Sequence, residues 1–253
     1  MEPIVSIQQL DKSYGSTDVL TNLDLDIPEG EIFGLIGPNG AGKTTLLGIL
    51  TGILPFDGGS ISVAGRPWNE EHESEIKQQI ASVMQPPLLF DHFTCYDYLD
   101  YVGEMYSIDL KGRARKIESL MTYFELDPFL SNKTQHLSSG NRKKLAFIAA
   151  ILSDPQILFL DEPFESVDVI SIRRMKTLMQ RLKEKGVTIF ITSHILEIVE
   201  NLCDDIAILH EGHIIAYLDS ASRAELQQQS SLAEIFEQYV AVDEQDEELL
   251  DWL

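Results

Sequence analysis

Gly37-Pro38-Asn39-Gly40-Ala41-Gly42-Lys43-Thr44 follows the apolar run Ile32-Phe33-Gly34-Leu35-Ile36 and opens a segment of helical character that extends to Leu50. Every fixed position of the pattern G-x-x-x-x-G-K-[ST] is present, in the strand, loop and helix order that the pattern requires. The glycines let the backbone curl until its N–H groups face one anion, and the helix start adds its positive end. Lys43 is thereby placed to reach the β- and γ-phosphates of a nucleotide, and the Thr44 hydroxyl to ligate magnesium. A Gly-rich turn without a ligand accounts poorly for the agreement of all fixed positions with their context.

A buried strand that feeds a helix through a tight loop implies an α/β fold. Upstream, Ile4-Val5-Ser6-Ile7 and Leu23-Asp24-Leu25-Asp26-Ile27 partly alternate in polarity and predict strands, with Pro28-Glu29-Gly30 as a turn. From Thr94 to Asp154 the pattern becomes helical, with Ile117, Leu120, Met121 and Phe124 at i, i+3, i+4 and i+7, which predicts a helical lobe inserted between sheet strands. Ile157-Leu158-Phe159-Leu160 and the run from Val187 to Thr192 resume the sheet as buried, largely parallel strands. Asp161 and Glu162 close the first of these runs, so both carboxylates fall at the carboxyl end of a strand, where α/β sheets bind ligands. Asp161 suits a place near magnesium, and Glu162 suits polarising an attacking water as general base. Alone the pair would say little; the phosphate loop gives it weight.

The chain of 253 residues is long enough for one large domain or a domain carrying an inserted lobe. Its 44% apolar and 24% charged residues are those of an ordinary globular protein. Acidic residues outnumber basic ones 41 to 19, and the formal charge of -22 repels nucleic-acid phosphates and anionic lipid at long range. Nucleic-acid binding is therefore disfavoured, whereas a few oriented N–H groups, one Lys and a magnesium ion still hold ATP locally. Cys95 and Cys203 lack CxxC spacing, which fits a reduced, cytosolic setting. No signal peptide is visible after Met1, and apolar stretches such as Leu145 to Leu152 fall short of the roughly 18 to 20 residues that a bilayer span needs. A solvated acidic tail is expected over 241–253, after a domain over 1–240.

Further motifs flank the loop in order. Lys12-Ser13-Tyr14-Gly15 precedes it; Ser82-Val83-Met84-Gln85-Pro86, Leu137-Ser138-Ser139-Gly140-Asn141, Asp161-Glu162, Asp168 and His194 come after it. Together they resemble the ATP-binding subunit of ABC-type transporters over roughly residues 4 to 218. The resemblance implies a P-loop NTPase with a RecA-like core, an N-terminal antiparallel β-subdomain and an inserted helical subdomain over about 94–154. It also implies ATP and Mg2+ as cofactors. In its terms Tyr14 stacks on adenine, Gln85 senses magnesium and links the nucleotide to a membrane subunit, and Ser138, Ser139, Gly140 and Asn141 form the signature turn. Asp168 and the residues Gly37, Pro38, Asn39, Gly40, Ala41, Gly42, Lys43, Thr44 and Thr45 complete the implied nucleotide contacts. Thr44, Gln85 and Asp161 become the implied magnesium ligands; Glu162, His194 and Lys43 become the catalytic set, with His194 on the γ-phosphate. Singly, an aromatic or a histidine is more often packed or merely exposed. The joint order carries the resemblance.

Two segments depart from the family pattern. The signature has Ser139 for its first Gly and Asn141 for Gln, and Phe164-Glu165-Ser166-Val167 stands where a small hydroxyl residue comes first and Gly-Leu precedes the Asp, so contacts across a dimer are expected to be altered. Leu145, Ile148, Ala149 and Leu152 predict a helix that starts at the signature and stops at Asp154-Pro155. Ser138 or Ser139 is expected to cap it, and a capped helix start is also an anion site. Arg142, Lys143 and Lys144 occupy the first turn, where cations oppose the helix dipole by a few tenths to about 1 kcal/mol each. That local conflict fits a site that meets an anion, or else a solvated basic face. Ser139 is expected to crowd the turn and Asn141 to reach one methylene less, weakening the chemistry without abolishing it.

The resemblance implies an ATPase peripheral on the cytoplasmic, inner face of the cell membrane. It would bind two ATP between two head-to-tail copies, a homodimer, and energise a separate transmembrane permease. The look of LSSGNRKKL and the lack of a long C-terminal regulatory domain resemble efflux systems for drugs, peptides or lipid-like cargo. A non-transport ABC-type ATPase of translation or DNA repair would usually carry paired ATPase units, coiled coils or basic patches, and none is visible. A hydrolysis-impaired regulator is the third reading, against which Glu162 and His194 speak.

Overall fold

Polar and apolar residues alternate at the start of the chain, and they form the antiparallel hairpin β1 (Val5–Tyr14) and β2 (Thr17–Ile27), whose Val5, Ile7, Leu23, Leu25 and Ile27 turn into the core. β3 (Ile32–Ile36) is buried at all five positions, and the phosphate loop carries it into α1 (Lys43–Leu50). In this computed structural model, which describes residues 3–226 and 231–239, β4 (Gly58–Val63) and β5 (Arg66–Pro67) complete a four-stranded sheet of order β2-β1-β4-β5. All its pairings are antiparallel. α2 (Glu73–Gln79) leads directly into β6 (Ile80–Val83).

The expected helical lobe contains α3 (Cys95–Met105), α4 (Leu110–Tyr123) and α5 (Ser139–Leu152). Thr94 caps α3 by accepting from the Asp97 N–H, and Asp109 caps α4 through the Lys111 and Gly112 N–H groups, so each helix starts where a short acceptor meets unpaired amides. From Lys143 onward α5 is buried at every residue, which makes it the central rod of the lobe.

The sheet then resumes with β7 (Ile157–Asp161), α6 (Val169–Glu184), β8 (Thr188–Thr192), α7 (Leu196–Leu202), β9 (Asp205–His210) and β10 (His213–Leu218), followed by α8 (Ser220–Leu226) and α9 (Leu232–Tyr239). The order is β10-β9-β3-β8-β7-β6, parallel throughout except for the β9–β10 pair. Because successive strand residues point to opposite faces, Phe33, Leu35, Phe159 and Phe190 pack toward α1 and the antiparallel sheet, while Ile32, Ile36, Leu158, Leu160, Ile189 and Ile191 pack toward α5 and its neighbours. The expected α/β class and largely parallel sheet are thus observed, and the proposed acidic tail over 241–253 lies outside the described residues.

Phe190 is fully buried at the middle of the sheet, 5.6 Å from Phe33 and 5.8 Å from Phe159 between ring centroids. Phe190→Ala is expected to cost about 3–5 kcal/mol, read as a lower midpoint in urea unfolding. An unchanged midpoint would show that the two ring neighbours do not depend on it.

Candidate nucleotide site

β3 ends against the loop, and Gly42 caps α1 at φ 109°, a left-handed conformation that a side chain would strain. A Cβ there would also meet Leu20 Cδ2 at 2.7 Å. No side chain caps α1 and no acid lies in its first turn, so its leading N–H groups remain available to an anion. Lys43 folds back over the loop, its Nζ donating to the carbonyls of Gly37 at 2.7 Å and Pro38 at 3.0 Å. Burial pushes its pKa below the ordinary lysine value, against the pull of the Glu162 and Asp161 carboxylates.

Asp161 ends β7 at 1% exposure. Its Oδ2 accepts from Thr44 Oγ1 at 3.1 Å and its Oδ1 from Thr192 Oγ1 at 2.6 Å. Thr44, Asp161 and Gln85 offer hard oxygens of the kind Mg2+ takes in ones and twos together with phosphates. Donors of this kind fit a magnesium ion carried in with a nucleotide. The next residue, Glu162, adopts φ 45°, and its N–H donates to the Thr192 carbonyl at 3.2 Å and hydroxyl at 3.1 Å. Glu162 Oε2 lies 3.0 Å from His194 Nδ1 and accepts from the His194 N–H at 3.3 Å.

A cleft of about 520 Å³ brings Gly37, Pro38, Asn39, Gln85, Glu162 and His194 together with Glu165, Leu196 and Phe236. Lys143 Nζ, 4% exposed, donates to Gln85 Oε1 and to the Glu162 carbonyl, both at 2.7 Å. Burial lowers its pKa, opposed first by Glu165. Thr192 and Phe236 are contributors that the sequence does not announce, and the contacts of Lys143 and Glu165 with Gln85 are not legible in it either. Thr192 ends a run already read as a strand, yet its pairing with Asp161 comes from sheet register.

The signature turn lies outside this cleft. Ser138 caps α5, accepting from the Asn141 N–H at 3.3 Å, as expected of one of the two serines. Ser139 is exposed, and its backbone is not left-handed. A Cβ at Gly140 would lie 2.6 Å from the Ser166 carbonyl, so the retained glycine has a packing reason within the chain. The basic triplet corrects the expectation of an anion-facing or solvated face. Arg142 binds Asp91 at 3.0 Å, Lys143 turns inward to Gln85, and buried Lys144 donates to the Phe124 carbonyl at 3.5 Å and lies 3.8 Å from Asp168. Asp168 caps α6 through the Ser171 N–H at 2.9 Å, and the Ser171 donors hold its carboxyl below the usual range. Phe164, 3% exposed, is absorbed into the core. Tyr14 stands exposed at the end of β1, with Lys12 Nζ 5.5 Å from its ring centroid.

The uncapped helix behind a glycine loop and the anchored Asp-Glu pair at a parallel strand end define a P-loop nucleoside triphosphatase. A family profile described as ABC transporter matches residues 20–165. The lantibiotic transport ATP-binding protein SrtF of Streptococcus pyogenes is 34% identical over 212 residues, 84% of this chain and 89% of that protein. The linearmycin resistance ATP-binding protein LnrL of Bacillus subtilis (strain 168) is 32% identical over 213 residues, 84% of this chain and 68% of that one. A solved structure described as the ATP binding subunit of an ABC transporter superposes with a TM-score of 0.86 at 28% identity, covering 94% of this chain and 99% of the other. The chain belongs to the ABC transporter family, as an ATP-binding protein of the ATP-hydrolysing type.

Ser166 holds φ 61° where the family has glycine, a conformation that costs an ordinary residue about 1–2 kcal/mol. Ser166→Gly is expected to stabilise the fold by up to about 1 kcal/mol once the entropy of glycine is discounted. Thermal unfolding checks it; a lower midpoint would mean that the serine side chain makes a compensating contact.

Proposed function

We propose that this chain energises transport through a separate transmembrane permease, hydrolysing ATP in two sites shared by head-to-tail copies on the cytoplasmic face of the membrane. The observation that carries this reading is the division of the motifs. Lys43, Thr44, Asp161, Glu162 and His194 gather at the loop, while Ser138 and Ser139 are exposed at a helix start outside the cleft. A second copy would supply its own Ser138 to Asn141 turn to the open side of the cleft.

In this reading the loop from Gly37 to Thr45 and Lys43 hold the phosphates, Tyr14 stacks on adenine, and Asp168 faces the partner copy from the start of α6. A magnesium ion held by Thr44, Asp161 and Gln85 would neutralise phosphate charge. Glu162 takes a proton from water as the water oxygen bonds to the γ-phosphorus, and the bond to the β–γ bridging oxygen breaks to leave ADP and phosphate. His194 fixes Glu162 Oε2 and reaches the γ-phosphate. The domain extends over 1–240, with residues 94–154 as its lobe.

Support for a permease comes from the exposed Ile53, Leu88, Phe90, Tyr101 and Met105, which border a hollow of about 460 Å³ between β6 and the lobe, beside the Gln85 loop. No helix among the described residues is long and apolar enough to cross a membrane, so the reading places the span in a separate chain. SrtF and LnrL are named for lantibiotic transport and linearmycin resistance, which favours export of a drug, peptide or lipid-like cargo.

Glu162→Gln is expected to lower ATP turnover by at least about 100-fold while ATP still binds and holds a dimer. Phosphate release and analytical ultracentrifugation read the two effects, and undiminished turnover would reject Glu162 as the base. The wild-type chain, affinity-purified from solubilised membranes, should recover a polytopic protein; recovery of RNA or DNA at physiological salt instead would sink the transport reading.

A further inference from the structure

Gln85 is held at both ends by opposite charges. Its Oε1 accepts from Lys143 Nζ at 2.7 Å, and its Nε2 donates to Glu165 Oε2. An ammonium only donates and a carboxylate only accepts, so these partners fix which way the amide faces. The oxygen that would ligate magnesium is therefore turned to a cation, and two cations cannot share it at short range. Gln85 reaches a metal only by leaving Lys143. When it leaves, Lys143 Nζ and Glu165 Oε2, already 3.9 Å apart, are left facing each other as a direct ion pair. The two arrangements thus keep both charges paired, which gives the loop two defined states.

We propose that Lys143 and Glu165 are positioning residues that clamp Gln85 away from magnesium and set how much magnesium is needed to bind nucleotide tightly. This rests on the reading of Gln85 as a magnesium ligand. The clamp also spans the segments offered to a second copy. Lys143 stands one helical turn after Ser139 on α5, and Glu165 precedes Ser166, whose carbonyl packs on Gly140. A partner that moves the start of α5 moves one jaw of the clamp.

The experiment is calorimetric titration of the full chain with ADP over a series of magnesium concentrations, and with ADP in chelator. Glu165→Ala should lower the magnesium concentration for half-maximal gain in ADP affinity by about threefold to tenfold, the net scale of one hydrogen bond. ADP affinity in chelator should change less than affinity at saturating magnesium. Glu165→Gln, which loses the charge but keeps an acceptor for Nε2, should recover part of the wild-type requirement. An equal rise in affinity with and without magnesium would show that Glu165 acts through its charge alone and would overturn the clamp. Gln85→Ala separates the two ideas. If it leaves the magnesium requirement unchanged, the ligand reading and the clamp both fall. If it raises the requirement, and Glu165→Ala still lowers it in that background, only the clamp falls.

Discussion

One buried carboxylate organises the catalytic end of this molecule. Asp161 is almost fully enclosed, and a charge in such a place costs several kcal/mol unless it is well paired. Its two oxygens are taken by hydroxyls from separate elements, Thr192 on β8 and Thr44 on α1, so it ties neighbouring parallel strands to the helix behind the phosphate loop. Glu162 inherits that anchorage. With its N–H on Thr192 and its φ at 45°, it brings Oε2 to His194. Left-handed backbone at a non-glycine residue persists only where its surroundings over-determine it, and here the Asp161 and Thr192 contacts do so.

What could be read from the sequence was local. Five apolar residues before Gly37 specify a buried strand, eight loop residues specify an anion cradle, and neither needs a distant partner to be recognised. Thr192 and the partner of Lys143 escaped because they arise from register and from the approach of separate elements. The basic triplet shows the same limit from the other side. Opposition to the helix dipole is real within the first turn of α5, yet Asp91, Glu165 and Asp168 come from elsewhere in the chain and stand against the three cations. Phe164 likewise reads as an altered dimer contact until its burial shows that it belongs to the core.

The charge of -22 does not act evenly on the site. Around the cleft Asp161, Glu162 and Glu165 stand near Lys43 and Lys143, and both lysines have their pKa lowered by burial. Acidic groups thus outnumber these lysines around the cleft, and Lys43 does not hold a phosphate by charge alone. The leading N–H groups of α1, which no side chain caps, add donors that carry no formal charge and do not titrate.

Gly140 shows why a retained motif residue must be weighed against its packing. The Ser166 carbonyl leaves no space for a Cβ there, so a folded single chain requires glycine at that position whether or not any nucleotide touches it. Its retention is thus weak support for a contact with a partner's nucleotide. Ser138 and Ser139 differ: both are exposed, only the Ser138 hydroxyl has a cap to make, and the Ser139 side chain borders the hollow beside Gln85 and Glu165. If a second copy docks against the start of α5, the residue whose chemistry it most directly tests is Ser139, not the glycine that makes the motif recognisable.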